Sequence, residues 1–195
     1  MIQVDVRSNI DDFQAVLRAL PERLQERAIM RGINRAIDAV ATQSSREVRK
    51  VYNLKDRDVK AALAKHKASK VTLTGDVTFR GRRIPLILFE AHWRQGQPGG
   101  ATAKIFVGGQ RIAYRGAFIA AARYNNAAGG GSAGQQQVFV RTGKARYPIK
   151  VLRGISIPLA VKRKVVLDAL KAVASDTFRK NFTQQLRFLT GADKG

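Results

Sequence analysis

The sequence contains no cysteine, only two histidines, and 14 acidic residues against 36 basic ones. The absence of cysteine excludes disulfide bonds, thiolate catalysis and zinc sites with cysteine ligands. His66 and His92 do not stand at ligand spacing from each other or from a carboxylate, which argues against a histidine metal site. We therefore predict a protein that uses no metal and no other cofactor.

Long apolar runs and a secretory signal are also missing. No apolar run approaches the roughly 18 residues that a membrane-spanning helix needs, and the first residues show no basic stretch followed by an apolar one. We expect a protein that is made in the cytosol and has no membrane partner. With 45% hydrophobic and 26% charged residues over 195 positions, the composition is that of a globular chain.

Catalytic motifs are absent as well. Thr142-Gly143-Lys144 resembles the end of a phosphate-binding loop. That motif needs glycine at position 138, however, where this sequence has valine. Asp56 and Asp58 lie among basic residues near a helix start, which favours a role at the helix end over a cation site. No serine is matched by a histidine and an acid, and we predict that the protein is not an enzyme.

Positive charge is what the sequence has in excess, with a formal net charge of +22. Residues 91–167 contain thirteen Lys or Arg and no Asp or Glu. A chain with this imbalance repels itself unless it meets acidic protein or phosphate, and the pattern leaves both partners open. The residues that we predict to face nucleic acid or an acidic partner are Arg111, Arg115, Arg123, Arg141, Lys144 and Arg146.

A long helix is predicted over residues 21–52. Pro21 stands at the first helical position, which proline favours, and apolar residues follow at helical spacing. The helix would be about 48 Å long, whereas a compact domain of this size has a radius of gyration of about 16 Å. It must therefore protrude or kink at Gly32, and we predict that it packs on neighbouring subunits. The side chains predicted for this assembly contact are Ile33, Ala36, Ile37 and Val40.

The rest of the chain reads as strands followed by a helix. Residues 69–160 form a basic β region of short apolar runs and turn residues, with an uncharged Gly/Ala/Gln loop at 125–137 that is typical of a flexible segment. Residues 161–190 predict an amphipathic helix. Residues 1–68 are predicted to be helical after a first strand at 1–6, with a brief helix to residue 20 and another at 55–67. Further predictions are a strand at 84–89 and a hairpin from residues 101–107 and 109–114.

This order of elements indicates one α+β domain. It comprises a long N-terminal helix, a central, mostly antiparallel β-sheet and a long C-terminal amphipathic helix.

Two stretches carry motifs of a known family. The first is Ile33-Asn34-Arg35-Ala36, continuing through residues 42–63. The second is Gly116-Ala117-Phe118-Ile119, followed by Val138-Phe139-Val140-Arg141, Arg146-Tyr147-Pro148-Ile149 and Ser156-Ile157-Pro158. In this order the motifs resemble the minor tail protein Z family of lambda-type tailed phages, also described as tail completion proteins. The resemblance covers most of residues 24–185.

The resemblance implies a structural virion protein, assembled in the host cytoplasm and present in few copies in the neck, at the head-proximal end of the tail. Its implied role is to complete the tail so that the tail joins the filled head and passes DNA, with no catalytic residues. The partners that we expect are copies of the same chain in a ring, six-fold or a multiple, other neck or tail proteins, and genomic DNA in the conduit. The alternative is a sequence-nonspecific DNA-binding module of a nucleoid-like or regulatory kind.

Overall fold

Two long helices, two short helices and ten strands build the part of the chain that the computed structural model describes, which comprises residues 2–5, 21–94, 99–121 and 134–190. The helices are α1 (Glu22–Val51), α2 (Asp56–Lys60), α3 (Ile157–Val161) and α4 (Lys164–Thr190). The strands are β1 (Ile2–Asp5), β2 (Leu63–His66), β3 (Asp76–Phe79), β4 (Arg83–Pro85), β5 (Ala101–Ala103), β6 (Ile112–Tyr114), β7 (Ala117–Ala121), β8 (Gln136–Arg141), β9 (Ile149–Val151) and β10 (Arg153–Ser156). The predicted α+β class is confirmed.

Helix α1 begins directly after Pro21. A proline at a helix start removes no helical hydrogen bond, and Glu22 brings a carboxylate to the positive helix end. The helix ends where Tyr52 takes up extended backbone, although its N–H still donates to the carbonyl oxygen of Val48. The bounds predicted from the sequence are therefore confirmed to within one residue. The 30 residues give a length of about 45 Å.

Helix α4 packs antiparallel on α1. Near the start of α1, Arg31 donates a hydrogen bond of 2.8 Å to Gln185, which lies near the end of α4. Just beyond the end of α1, the ring of Tyr52 lies 5.2 Å from that of Phe106. The guanidinium of Arg163, which directly precedes α4, lies over Phe106 in turn. Because α4 is itself 27 residues long, it matches α1 along most of its length.

The apolar stripe of α1 is part of the chain's own core. Ile33, Ala36, Ile37 and Val40 are at most 3% exposed within the single chain, and they belong to one cluster with buried side chains of α4 and of the strands. The prediction that these four residues pack on a neighbouring subunit is therefore wrong. The length argument left out the second long helix, whose apolar face buries the stripe that α1 presents.

The strands form four small antiparallel sheets instead of one central sheet. One sheet has the order β1-β3-β2 and another the order β7-β8-β9, whereas β4–β10 and β5–β6 are two-stranded. The antiparallel pairing is as predicted. The strands are three to six residues long. β2 and β3 pack on α1, whereas β8 packs on the segment Leu86–Leu88.

Pairing between distant segments overrides two local predictions. Residues 55–67 are not one helix, since α2 ends at Lys60 and β2 follows at Leu63–His66. Strand β2 makes a full ladder with β3, in which Leu63 pairs with Phe79 and His66 with Asp76. Residues 84–89 are not one strand either, since β4 ends at Pro85 and a 3-10 turn occupies Leu86–Leu88.

Other predictions hold in part. Strand β1 and the β5–β6 hairpin are confirmed with shorter bounds. The C-terminal helix predicted over residues 161–190 is confirmed as α4. The short helix α3 lies almost entirely within the predicted β region and was not expected. The end of the predicted loop is strand, because Gln136 and Gln137 open β8 and Gln137 is buried. The remainder of that loop up to residue 133 and the predicted helix ending at residue 20 lie outside the described residues.

Candidate functional site

Most of the basic residues that the sequence analysis selected lie on the β7-β8-β9 sheet or on the turns at one end of it. Phe118 on β7 pairs with Phe139 on β8, and their ring centres are 6.0 Å apart. Arg141 is the last residue of β8, and its guanidinium carbon lies 5.3 Å from the centre of the Phe118 ring. This is a cation–π distance, so the sheet orients Arg141 while the residue stays exposed.

Residues 141–148, called the basic segment below, are exposed throughout. The hydroxyl and the N–H of Thr142 both donate to the carbonyl oxygen of Pro148, at 3.0 and 3.1 Å, and close the segment into a loop. Lys144 is exposed on this loop, and the guanidinium of Arg146 lies 5.8 Å from the ring centre of Tyr147. One loop therefore presents three cations, two of them beside aromatic rings.

Arg115 lies at the same end of the sheet. It forms the turn between β6 and β7 together with Gly116, whose φ of 72° lies in the left-handed region that favours glycine. Ala117 at the start of β7 pairs with Val140, so the register brings this turn next to Arg141. Arg115 is exposed and makes no ion pair with any described residue. It therefore adds a further cation beside the basic segment.

Arg111 differs from these residues because it is already paired with an acid. Its Nη1 donates a hydrogen bond to the carbonyl oxygen of Glu90, and its Nη2 lies 3.7 Å from the Glu90 carboxylate. Arg111 is therefore partly neutralised within the chain. Arg123, the sixth predicted residue, lies outside the described residues. What the other four side chains bind stays a prediction.

Several acids of the described residues form ion pairs within the chain, far from the basic segment in sequence. Asp38 accepts hydrogen bonds of 2.8 Å from Lys65 and from Lys67. Burial alone would raise the pKa of Asp38, but these hydrogen bonds outweigh it and hold the pKa below its usual value. Apart from the Arg111 pair, every ion pair among the described residues uses an acid between positions 38 and 76. The basic segment makes no ion pair with any acid in the described part of the chain.

Sequence reasoning missed a second basic site. A cavity of about 340 Å³ is rimmed by Arg80, Arg82, Arg83 and Arg153. Gly81 followed by Arg82 and Arg83 is by itself typical of a turn. The sequence does contain one signal for this site, namely three arginines within the four positions 80–83.

The described histidine and acid side chains show no cluster of three or more that could hold a metal ion. His66 Nδ1 lies 3.0 Å from Oδ2 of Asp76, which also accepts a hydrogen bond of 2.6 Å from the Thr78 hydroxyl. Burial alone would raise the pKa of Asp76, but the hydrogen bonds from Thr78 and His66 lower it overall. This group ties β2 to β3. None of the described helices is long and apolar enough to cross a membrane.

These features define an α+β protein whose exposed and unneutralised basic side chains suit an acidic partner. The family model described as prophage minor tail protein Z (GPZ) matches residues 13–191. The chain therefore belongs to the minor tail protein Z family, a family of structural phage tail proteins, and the resemblance seen in the sequence is confirmed. Membership implies a place in the virion tail and contact with other tail proteins. Comparisons with curated proteins and with solved structures give no significant match.

Proposed function

We propose that this protein sits in the neck, at the head-proximal end of the phage tail, where it completes the tail for joining to the filled head. In this proposal the basic segment faces the phosphates of the genome as it passes. The observation that carries the proposal is the exposure of Arg141, Lys144 and Arg146 on one loop without an ion pair to any described residue.

The chemistry of this loop suits a conduit that must pass any sequence. Arginine and lysine contact phosphate without reading bases, and the aromatic neighbours Phe118 and Tyr147 orient two of the cations. Contacts made by exposed single charges are individually weak and screened by salt. Weak contacts favour passage of the DNA over retention.

A ring of copies around the DNA fits the same role. Repeated head-to-tail contacts close into rings when the rotation between subunits allows it, and we retain the six-fold or multiple arrangement as part of the proposal. The stripe of α1 cannot form the contact, since it is buried. Exposed apolar side chains elsewhere are better candidates, namely Leu159, Val165 and Phe188, which are 55%, 68% and 68% exposed.

The experiment is a charge reversal in the phage that encodes this protein. Arg141→Glu combined with Arg146→Glu replaces two phosphate-attracting charges by repelling ones. We expect particles that join heads to tails normally, as counted by electron microscopy, but deliver DNA to host cells poorly. A matched control is Arg46→Glu combined with Lys171→Glu, which makes the same charge change at exposed positions outside the basic segment and should leave delivery intact.

Two outcomes would overturn the proposal. Loss of joining in the Arg141/Arg146 variant would mean that the basic segment meets an acidic protein and not DNA. Absence of the protein from purified particles, together with binding to short duplexes in solution, would favour the DNA-binding module over the neck protein.

A further inference from the structure

The arginine-rimmed cavity lies between α2, β4 and the strand β10. Its walls are mainly apolar. The apolar lining residues are Ala61, Ala62, Ile84, Pro85, Leu88 and Ile157. A cavity of about 340 Å³ is within the size range of pockets that accept a small ligand or a few side chains.

Backbone hydrogen bonds and strand pairing fix the backbone at three of the four arginines around this cavity. The N–H of Arg80 donates to the carbonyl oxygen of Ala62 at 2.8 Å, which ties the end of β3 to the chain after α2. Strand β4 pairs with β10, with Arg83 opposite Ser156 and Arg153 opposite Pro85. The rim is thus built from three separate elements and does not depend on one flexible loop.

The charges around the cavity are not balanced. Arg82 and Arg83 are exposed and make no ion pair with any described residue. Asp58 is the single acid in the lining. Its Oδ1 lies 3.6 Å from Nε of Arg57, whereas its buried Oδ2 has no hydrogen-bond donor among the described residues. Buried acceptors in folded proteins almost always have a donor.

We propose that this cavity docks an acidic segment of another tail protein that also carries an apolar side chain. Carboxylates of the segment pair with Arg82 and Arg83, since arginine binds carboxylate through two parallel hydrogen bonds. The apolar side chain of the segment fills the apolar interior of the cavity.

The apolar walls favour protein over DNA as the occupant. A phosphate backbone would use the arginines but would bring no apolar group to the interior. The inference rests on the protein's place in the phage tail and is independent of the neck position.

The test uses overlapping short peptides that cover the other structural proteins of the same phage, labelled for fluorescence anisotropy with the full chain. We expect acidic peptides with an apolar residue to bind. Arg82→Glu combined with Arg83→Glu should lower the affinity for these peptides by about tenfold or more. Ala61→Phe, which fills the cavity without changing charge, should weaken the same peptides. The control is again Arg46→Glu combined with Lys171→Glu, which should bind as the unaltered chain does.

Positions 61, 82 and 83 are exposed, and unchanged unfolding temperatures establish that the variants alter binding and not folding. The proposal is overturned if no peptide binds, or if peptides bind all variants equally. It is also overturned if a short DNA duplex binds through Arg82 and Arg83 and is unaffected by Ala61→Phe. Each of these three outcomes leaves the neck proposal standing, because that proposal concerns the basic segment.

Discussion

A Cβ atom at Gly32 would lie 3.0 Å from Cε2 and 3.1 Å from Cδ2 of Phe178. Phe178 is buried and stacks on Phe182, with the ring centres 5.3 Å apart. The absence of a side chain at position 32 therefore lets α1 approach α4 closely. The sequence suggested Gly32 as a point of weakness, but α1 is continuous through it, and the glycine serves packing.

Enlarging position 32 tests this close approach. Gly32→Val should lower the free energy of unfolding by about 1–3 kcal/mol, because the branched side chain overpacks the contact with Phe178. Gly32→Ala should be nearly neutral, since the gain in helix propensity of about 1 kcal/mol offsets the tight contact. Denaturant unfolding measures both. In a Phe178→Leu background the cost of Gly32→Val should shrink, and an equal cost in both backgrounds would contradict the contact.

The burial of the α1 stripe makes a second prediction. Val40→Asp places an unpaired charge in the core and should lower the free energy of unfolding of the isolated chain by several kcal/mol, on the order of 3–5. Thr42→Asp, two residues away and exposed, should lower the free energy of unfolding by only about a few tenths of a kcal/mol. Thermal unfolding of the purified variants decides. A stable Val40→Asp chain that fails only in particle assembly would restore the assembly role that the structure removes.

Acid should weaken the contact between α1 and β2. Asp38 has a folded-state pKa below its usual value, so it stabilises the fold at pH values above its unfolded pKa and loses this effect as pH falls through the folded pKa. Asp38→Asn should therefore destabilise the protein near neutral pH, by no more than about 1 kcal/mol for an exposed pair.

The difference in the free energy of unfolding between Asp38→Asn and the unaltered chain should begin to shrink near pH 4, the ordinary range of an aspartate pKa, and should vanish only below the lower folded-state pKa of Asp38. Asp168→Asn, at an exposed position without an ion pair to a described residue, provides the control. A difference that persists unchanged in acid would mean that the lysine pairing of Asp38 contributes nothing.

Salt dependence separates the paired arginine from the unpaired ones. If the basic segment contacts phosphate, the logarithm of the binding constant for duplex DNA should fall with the logarithm of the salt concentration, at a slope of about 0.9 per neutralised phosphate. Binding should not depend on the DNA sequence. Arg141→Ala and Arg146→Ala should each reduce the slope by about one. Arg111→Ala should reduce it less, because Glu90 already neutralises Arg111 in part. Equal effects at all three positions, measured by anisotropy over a salt series, would show that the ion pair is irrelevant to binding.

Local sequence patterns predicted where helices and strands lie better than they predicted which of these elements pack or pair with each other. The apolar spacing after Pro21 located α1 within one residue, because a helix satisfies its own hydrogen bonds. The strand Leu63–His66 was missed because its ladder partner, Asp76–Phe79, lies beyond an intervening loop. The burial of Ile37 and Val40 was misassigned because the helix that covers them is more than a hundred residues away in the sequence.

The exposure and the pairing of the candidate residues could be predicted only in part, and their function stays a prediction. The absence of acid in residues 91–167 located the exposed Arg141, Lys144 and Arg146. It could not show the pairing of Arg111, since Glu90 lies just outside the acid-free stretch. The cavity at Arg82 and Arg83 depends on β4 pairing with β10, which no local pattern contains.

A cryo-electron microscopy map of the intact head–tail junction tests the central claim most directly. The account predicts a ring of this chain at the top of the tail, with residues 141–148 the part of each subunit closest to the DNA density in the lumen. Copies of the chain found elsewhere along the tail, or a ring whose residues 141–148 face outward, would contradict it.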